Sequence, residues 1–135
     1  MSLKSKIKLL DNVFSQFIRF RDTDENGYGK CVSCDAIKHY FDLDAGHYIN
    51  RKYMSLRYSE INVNAQCYHC NRFDEGNSSG YALGIIKKYD ERMIGALEIA
   101  KHQTYKRTEF ELKVMIDHYR ELNKQFNKNF KVKLI

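Results

Sequence analysis

The chain has 135 residues, of which 43% are hydrophobic and 30% charged, and its Lys and Arg outnumber its Asp and Glu by 23 to 17. No stretch approaches the roughly 20 apolar residues that a transmembrane helix needs, which excludes a membrane protein, and the first residues lack the pattern of a secretory signal. The length predicts a single domain over residues 1–135, and we expect it in the cytoplasm. The net charge of +6 favours a polyanionic partner such as nucleic acid.

The amino-terminal segment is predicted to form a helix followed by a polar turn. Apolar side chains recur at helical spacing over residues 3–21, which indicates an amphipathic helix within the segment 1–21. Residues 22–27 match the first half of an EF-hand calcium loop, but the twelfth position is Ser33 instead of an acidic ligand. We therefore interpret them as a polar turn that leads into the cysteines.

Two other segments have the composition of short strands. Residues 38–50 are rich in Tyr, Phe and Ile and lack a strong helical period, which predicts two strands of one hairpin. Residues 130–134 alternate between apolar and basic side chains, which predicts an edge strand.

The carboxy-terminal part, residues 78–135, is predicted to be largely helical. Two serines before an apolar run indicate a capped helix from 78 to 89, and another helix is expected from 91 to 103. Thr108 and Glu111 have the spacing of a capping box, and the apolar residues after them recur every three or four positions. A further helix is therefore expected to begin after Thr108.

The four cysteines fall into two pairs, Cys31 with Cys34 and Cys67 with Cys70. Two residues between the members of a pair let both thiolates reach one tetrahedral metal, and two such pairs complete a four-sulfur zinc site. Two disulfides are disfavoured in a cytosolic chain, and a thioredoxin-like redox pair needs only one motif. We predict a structural zinc, because four thiolates leave no open position for catalysis, and His69 is a bystander within the second pair.

Five motifs in and around the cysteine pairs resemble a known family. They are Phe17-Ile18-Arg19-Phe20-Arg21-Asp22, Cys31-Val32-Ser33-Cys34, Ala45-Gly46-His47-Tyr48-Ile49, Asn62-Val63-Asn64-Ala65-Gln66-Cys67 and Cys70-Asn71. In combination they resemble the phage NinG (Rap-like) family of recombination endonucleases, which are zinc-stapled HNH, or His-Me finger, nucleases. The resemblance covers residues 14–100, and it implies an α+β fold, mainly helical, around a zinc-bound ββα core at 28–77.

The resemblance also implies roles for three polar residues. His47, at the end of a strand, would be the general base, and an unperturbed histidine, with a pKa of about 6.5, can accept a proton at neutral pH. Asn71 would supply an oxygen ligand to a catalytic Mg²⁺ or Mn²⁺, and Asn62 would pin the loop and orient the histidine. The alternative for each is a structural role, with Asn62 and Asn71 capping turns.

The chain departs from many HNH enzymes at one position, because Gly46 stands where an aspartate usually helps to bind the metal. Similar phage resolvases have an acidic residue close to the metal just after the position of Asn71. We therefore expect Asp74 first and Asp44 second as acidic ligands. The alternative is that these carboxylates are solvated or paired with Arg72.

Basic and aromatic residues alternate between His47 and Asn62, where they would lie beside a scissile phosphate. Arg51, Lys52 and Arg57 are expected to contact phosphates, and Tyr53 to stack on a sugar or an unpaired base. The alternative is that the tyrosines pack on the zinc module with a solvated basic rim. A second basic cluster is more simply explained as a solvated helix face, with an auxiliary DNA contact as the other option; it comprises Lys124, Lys128, Lys131 and Lys133.

The implied function is metal-dependent cleavage of DNA, with branched recombination intermediates such as Holliday junctions as substrates, in the cytoplasm of a bacterium that carries the phage or prophage. Because such enzymes usually cut two strands as dimers, we expect a homodimer formed by the apolar faces of the terminal helices. The first alternative is a non-catalytic zinc-binding module for nucleic acid, favoured by Gly46. The second is a zinc-stabilised protein-interaction domain.

Overall fold

A computed structural model describes all residues from Met1 to Ile135. The elements in chain order are α1 (Leu3–Arg21), β1 (Tyr28–Lys30), β2 (Ile37–His39), β3 (Leu43–His47), β4 (Val63–Cys67), α2 (Ser78–Lys88), α3 (Arg92–Lys101) and α4 (Glu109–Gln125). A short 3₁₀ helix, Tyr40–Asp42, joins β2 to β3, and a π-helical segment, His69–Phe73, follows β4. The α+β class, mainly helical, is thereby confirmed. None of the helices is both long and apolar enough to cross a bilayer.

The predicted helices begin and end close to the expected residues because their caps are encoded locally. The hydroxyl of Ser2 accepts a hydrogen bond from the N–H of Ser5 at the start of α1. At α4 the hydroxyl of Thr108 accepts from the N–H of Glu111 at 3.1 Å, which confirms that half of the capping box.

The main hydrophobic core lies between the two terminal helices. It contains 10 buried residues. They are Leu10, Val13, Phe14, Phe17, Ile18, Tyr58, Val63, Leu112, Ile116 and Tyr119. The apolar faces of α1 and α4 therefore cover each other, and the expected homodimer stays a prediction.

The strands form two separate antiparallel pairs, β1 with β2 and β3 with β4. The prediction of one hairpin within residues 38–50 is wrong, because β2 and β3 in that range pair with different partners. In the second pair Leu43 lies opposite Cys67 and His47 lies opposite Val63. The polar turn before β1 is confirmed, since the carboxylate of Asp24 accepts from the N–H groups of Asn26 and Tyr28, each at 2.9 Å.

The predicted edge strand at 130–134 is also wrong. This segment is irregular, and the side-chain amide of Gln16 on α1 satisfies its backbone instead of a neighbouring strand. The Nε2 of Gln16 donates to the carbonyl of Lys133 at 2.9 Å, and its Oε1 accepts from the N–H of Ile135 at 3.2 Å. A single buried glutamine thus holds the tail against the helix.

Lys128 was expected in a solvated basic cluster, but it closes the carboxy-terminal end of α1. Its ammonium donates to the carbonyl oxygens of Phe20 at 2.9 Å, Thr23 at 2.6 Å and Asp24 at 3.1 Å. A cation at this end also interacts favourably with the helix dipole. Burial lowers the pKa of Lys128.

A partly buried polar network fixes β4 against α1 and α2. The carboxylate of Asp22 accepts from Arg21 at 2.8 Å, from the ammonium of Lys88 at 2.7 Å and from the N–H of Ala65 at 2.9 Å. Burial raises the pKa of Asp22, but its contacts with Arg21 and Lys88 outweigh burial and hold that pKa below its ordinary value. The network therefore keeps the carboxylate charged and sets the position of the second strand pair.

Candidate functional site

The four cysteine sulfurs meet at one point near the ends of β1 and β4. All four Sγ atoms lie within 4.8 Å of one another, and those of Cys34 and Cys67 are 3.8 Å apart. A tetrahedral zinc site with Zn–S bonds of about 2.3 Å has S–S edges of roughly 3.8 Å. The predicted cysteine cluster is confirmed, and its donor set fits a structural zinc. His69 is exposed and does not belong to this cluster of possible metal ligands.

Backbone and side-chain N–H groups donate to two of the cluster sulfurs. The N–H of Cys70 points to the sulfur of Cys67 at 3.5 Å, and the amide of Asn77 donates to the sulfur of Cys70 at 3.4 Å. Burial raises the pKa of Cys67, but the Cys70 amide and the neighbouring thiols outweigh burial and lower it overall. Such donors orient metal-binding sulfurs.

His47 lies at the end of β3 with one ring nitrogen fixed. Its Nε2 is 2.9 Å from the carbonyl oxygen of Arg57. Because a carbonyl can only accept, Nε2 must carry the hydrogen, and Nδ1 is left with its lone pair. Nδ1 has no hydrogen-bond partner in the chain. Burial, only partly offset by the bond to Arg57, lowers the pKa of His47 below its ordinary value, so the neutral ring predominates at neutral pH.

Asn62 determines the path of the loop that brings the Arg57 carbonyl to His47. The side chain of Asn62 is fully buried. Its Oδ1 accepts from the N–H of Ile49 at 2.8 Å, and its Nδ2 donates to the carbonyls of Ile49 at 3.0 Å and Leu56 at 3.1 Å. It therefore ties the two ends of the loop together without reaching solvent.

Arg57 was expected to contact phosphates, but its guanidinium turns toward α1. Its Nε donates to the carboxylate of Asp11 at 2.8 Å, and the Tyr58 hydroxyl donates to the same oxygen at 2.8 Å. The side chain of Arg57 is only 15% exposed. In this structure it anchors the loop to the helix, while its backbone holds His47.

Asn71 and Asp44 form a pair beside His47. The Nδ2 of Asn71 donates to Oδ2 of Asp44 at 3.0 Å, which leaves the amide oxygen of Asn71 without a partner in the chain. Arg72 also reaches both oxygens of Asp44, at 3.0 Å and 2.8 Å. An amide oxygen and a carboxylate are the hard oxygen ligands that Mg²⁺ prefers, so this donor set fits a divalent metal.

The two acids expected as metal ligands, Asp74 and Asp44, are placed differently in the structure. Asp74 is exposed and lines neither of the two cavities that contain His47 and Asn71, whereas Asp44 lines one of them. Glu75, the next residue, lines the other cavity.

Gly46 is required by packing. A Cβ built at this position would lie 2.0 Å from Oε1 of Gln66, and Gln66 is fixed by hydrogen bonds to Ser33 at 2.8 Å and to the carbonyl of Gly76 at 2.6 Å. An aspartate in place of Gly46 would therefore collide with Gln66. The packing of β3 on β4 therefore explains why glycine, and not aspartate, stands before His47.

His47 and Asn71 line two cavities, with volumes of about 360 Å³ and 580 Å³. The smaller one has a wall from α1 that the sequence analysis missed, formed by Asp11, Asn12, Ser15 and Arg19. Three of these residues are spaced by four positions on the polar flank of an amphipathic helix. That spacing was visible in the sequence, but nothing in it showed that the flank faces the histidine.

The other expected DNA contacts differ in their accessibility. Arg51 lines both cavities and has no acidic partner within salt-bridge distance. The ammonium groups of Lys52 and Lys101 lie 5.2 Å and 5.1 Å from the ring centroid of Tyr53. The ring of Tyr53 is partly buried, whereas Arg51 is a cation without an acidic partner that lines both cavities with His47.

The family comparison covers nearly the whole chain. The family model described as NinG, Bacteriophage Lambda NinG protein, matches residues 2–129. The chain belongs to the NinG family. The matched range contains every helix and strand of the fold, and hence the cysteine cluster and His47. The resemblance drawn from the motifs is thereby confirmed at the level of the family.

Individual NinG proteins show how much of the family length is present here. Over 116 residues the chain is 29% identical to protein ninG of Escherichia phage lambda, covering 85% of this chain and 54% of that protein. It is 28% identical to protein ninG of Escherichia phage 933W and of Enterobacteria phage VT2-Sa. Each of these matches covers 85% of this chain and 55% of the relative. The chain thus spans about half the length of these NinG relatives. No solved structure matches it.

Proposed function

We propose that this NinG family protein is a metal-dependent endodeoxyribonuclease of the HNH type that cuts branched DNA such as Holliday junctions. The observation that carries the proposal is the state of His47, whose Nε2 is fixed by the Arg57 carbonyl while Nδ1 is free. His47 lines the same cavity as the Asn71–Asp44 pair. A neutral base beside a set of oxygen ligands is the minimum that metal-assisted phosphodiester hydrolysis requires.

The residues of the site have separate roles in this reaction. Nδ1 of His47 takes the proton from the attacking water, and the Arg57 carbonyl stabilises the imidazolium that results. Asn71 and Asp44 would hold Mg²⁺ or Mn²⁺, which when bound stabilises charge on the scissile phosphate and the leaving oxygen. Arg51 is placed to contact a neighbouring phosphate.

One observation favours the competing function of a zinc-stabilised nucleic-acid-binding module without catalysis. Arg72 and Asn71 already occupy both oxygens of Asp44. A metal ligand at Asp44 therefore requires the guanidinium of Arg72 to share or release the carboxylate. A binding module would keep this ion pair and would use Arg72 and Arg51 for phosphates.

The test is cleavage of labelled four-way junction and matched linear duplex by the zinc-loaded protein, with Mg²⁺, with Mn²⁺ and with neither. We expect metal-dependent nicking with a preference for the junction. His47→Ala should reduce the rate by at least 100-fold while junction binding changes little, because general-base catalysis contributes roughly 10²- to 10⁴-fold.

His102→Ala is the matched control, since His102 is an exposed histidine at the end of α3. It should cut at the wild-type rate, and together with an inactive His47→Ala purified in the same way this assigns cutting to the protein and not to a contaminating nuclease. Salt-sensitive binding without cutting under either metal would defeat the nuclease and leave the binding module. Salt-insensitive or absent DNA binding would defeat both.

A further inference from the structure

A cluster of exposed aromatic rings lies next to the site on the zinc side of the fold. Phe73 is 66% exposed, Phe41 63% and Tyr68 50%. Soluble proteins seldom leave several large rings open on one surface unless the surface binds something. None of these rings takes part in the roles assigned above.

The rings form a connected surface. The ring centroids of Tyr68 and Phe73 are 5.1 Å apart in an edge-to-face arrangement, and those of His69 and Phe73 are 6.4 Å apart. Phe41, Tyr68 and His69 line a common cavity of about 470 Å³. We call Phe41, Tyr68, His69 and Phe73 the aromatic platform.

Two basic side chains accompany the platform. Lys38 and Arg72 line the same cavity, and the guanidinium carbon of Arg72 lies 5.3 Å from the ring centroid of Tyr68. Asp42 and Asp44 also line it, and Asp44 is paired with Arg72 at 2.8 Å. Lys38 is exposed and forms no salt bridge, so a free cation lies beside open ring faces, and this combination matches a nucleotide, which presents a flat base and a phosphate.

The platform is continuous with the proposed cleavage site. Asp44 and Arg72 line both the platform cavity and the cavity that contains His47. A strand that passes the histidine can therefore continue onto the rings. Bases in a duplex are stacked on each other and hide their faces, so only unpaired nucleotides can use such a surface.

We infer that the aromatic platform binds unpaired nucleobases, and that it gives the protein its preference for branched DNA over continuous duplex. This inference rests on the proposed function for its biological meaning, but its test does not depend on cleavage. Phe41, Tyr68 and Phe73 supply the stacking faces, while Lys38 and Arg72 contact the flanking phosphates.

The test measures binding by the zinc-loaded chain without added Mg²⁺ or Mn²⁺. The probes are a labelled blunt duplex and the same duplex with a single-stranded tail that contains 2-aminopurine. The wild type should bind the tailed probe more tightly and quench the 2-aminopurine fluorescence by stacking. Phe73→Ala and Phe41→Ala should each weaken tail binding on the order of tenfold, remove much of the quenching and leave duplex binding unchanged.

Matched variants separate stacking from folding. Phe73→Tyr keeps a ring and should retain the preference for the tail, and Phe110→Ala removes a 74% exposed ring from α4 and should change nothing. Because Tyr68 lies between two zinc ligands, its variant Tyr68→Ala is interpreted only if zinc content is retained. Equal affinity of wild type and platform variants for the tailed probe would overturn the inference. A change in self-association, with DNA binding unaffected, would assign the rings to a protein contact and overturn it as well.

The outcome of the platform test is independent of the outcome of the nuclease assay. If no metal supports cutting but the platform variants lose the tailed probe, the proposed function fails and the platform stands. If junctions are cut and the platform variants cut and bind them as the wild type does, the nuclease stands and the platform fails.

Discussion

The core between α1 and α4 and the region around His47 are stabilised in opposite ways. The first buries 10 apolar or aromatic residues, eight of which repeat along two helices. The second depends on four sulfurs and on a few polar side chains, such as Asn62 and Arg57, that bridge residues distant in sequence. Many small apolar contacts stabilise the helical core, whereas a few strong interactions stabilise the region around His47. Each region can therefore be disrupted while the other is monitored.

The largest effect should come from removing the metal. Zinc binding to structural cysteines is worth about 10–16 kcal/mol in small zinc domains, so stripping zinc with a chelator, or Cys67→Ser, should unfold the β-strand half. Much of the far-ultraviolet helical signal from α1 and α4 should remain while the near-ultraviolet signal is lost, and added zinc should restore it after chelation. A protein that contains no zinc and has an unchanged spectrum would show that the cluster is not a metal site.

The next effect tests the helical core. Leu112 on α4 is fully buried, and Leu112→Ala should lower the free energy of unfolding by about 2–5 kcal/mol through lost burial and a cavity. Leu83→Ala on α2 is the control, because Leu83 is 61% exposed and its removal should change stability by less than about 0.5 kcal/mol. Urea unfolding measures both. Equal destabilisation by the two variants would contradict the assignment of the core.

A smaller effect is expected at the loop. Asn62→Ala leaves the buried N–H and carbonyl of Ile49 without partners, while the carbonyl of Leu56 keeps its bond from the N–H of Ser59, and the change should cost about 1–3 kcal/mol. Its larger consequence should be local, because a loosened loop no longer holds the Arg57 carbonyl at His47, and nicking should fall by more than the change in stability explains. Asn127→Ala, at an exposed position, should alter neither quantity. Full activity in the Asn62 variant would show that the loop does not contribute to the proposed chemistry.

The smallest expected effect is on the pH dependence of stability. Since the pKa of His47 is lowered by burial, the unfolded chain takes up a proton near the ordinary value of 6.5, and the folded chain does so only at lower pH. Between these values the unfolded state binds more protons, so stability must fall as pH decreases. Replacing His47 by Gln should make the loss of stability from about pH 7.5 to about pH 5.5 smaller, as measured by urea unfolding without Mg²⁺. Identical losses would show that the ring is not buried in its neutral form.

The contrast also explains which features could be predicted from the sequence. The helices, the Thr108 cap and the cysteine cluster follow from spacing within short segments, and the structure reproduces them. The partners of β2 and β3 depend on β1 and β4, which no local alternation can identify. The same applies to Gln16, whose side chain replaces the strand partner expected for 130–134. In the site, His47, Asn62 and Asn71 were selected by motif, but the turn of Arg57 toward Asp11 arises from tertiary packing.

The capping of α1 by Lys128 has a consequence for the order of folding. The contacts of Lys128 with Phe20, and of Asn123 with Val13, join residues 108 and 110 positions apart. During synthesis α1 emerges long before its partners, so its apolar face must wait for α4. Both cysteine pairs leave the ribosome before α4 does. The metal-binding half can therefore load zinc and fold first, with closure of the helical core as the late, long-range step.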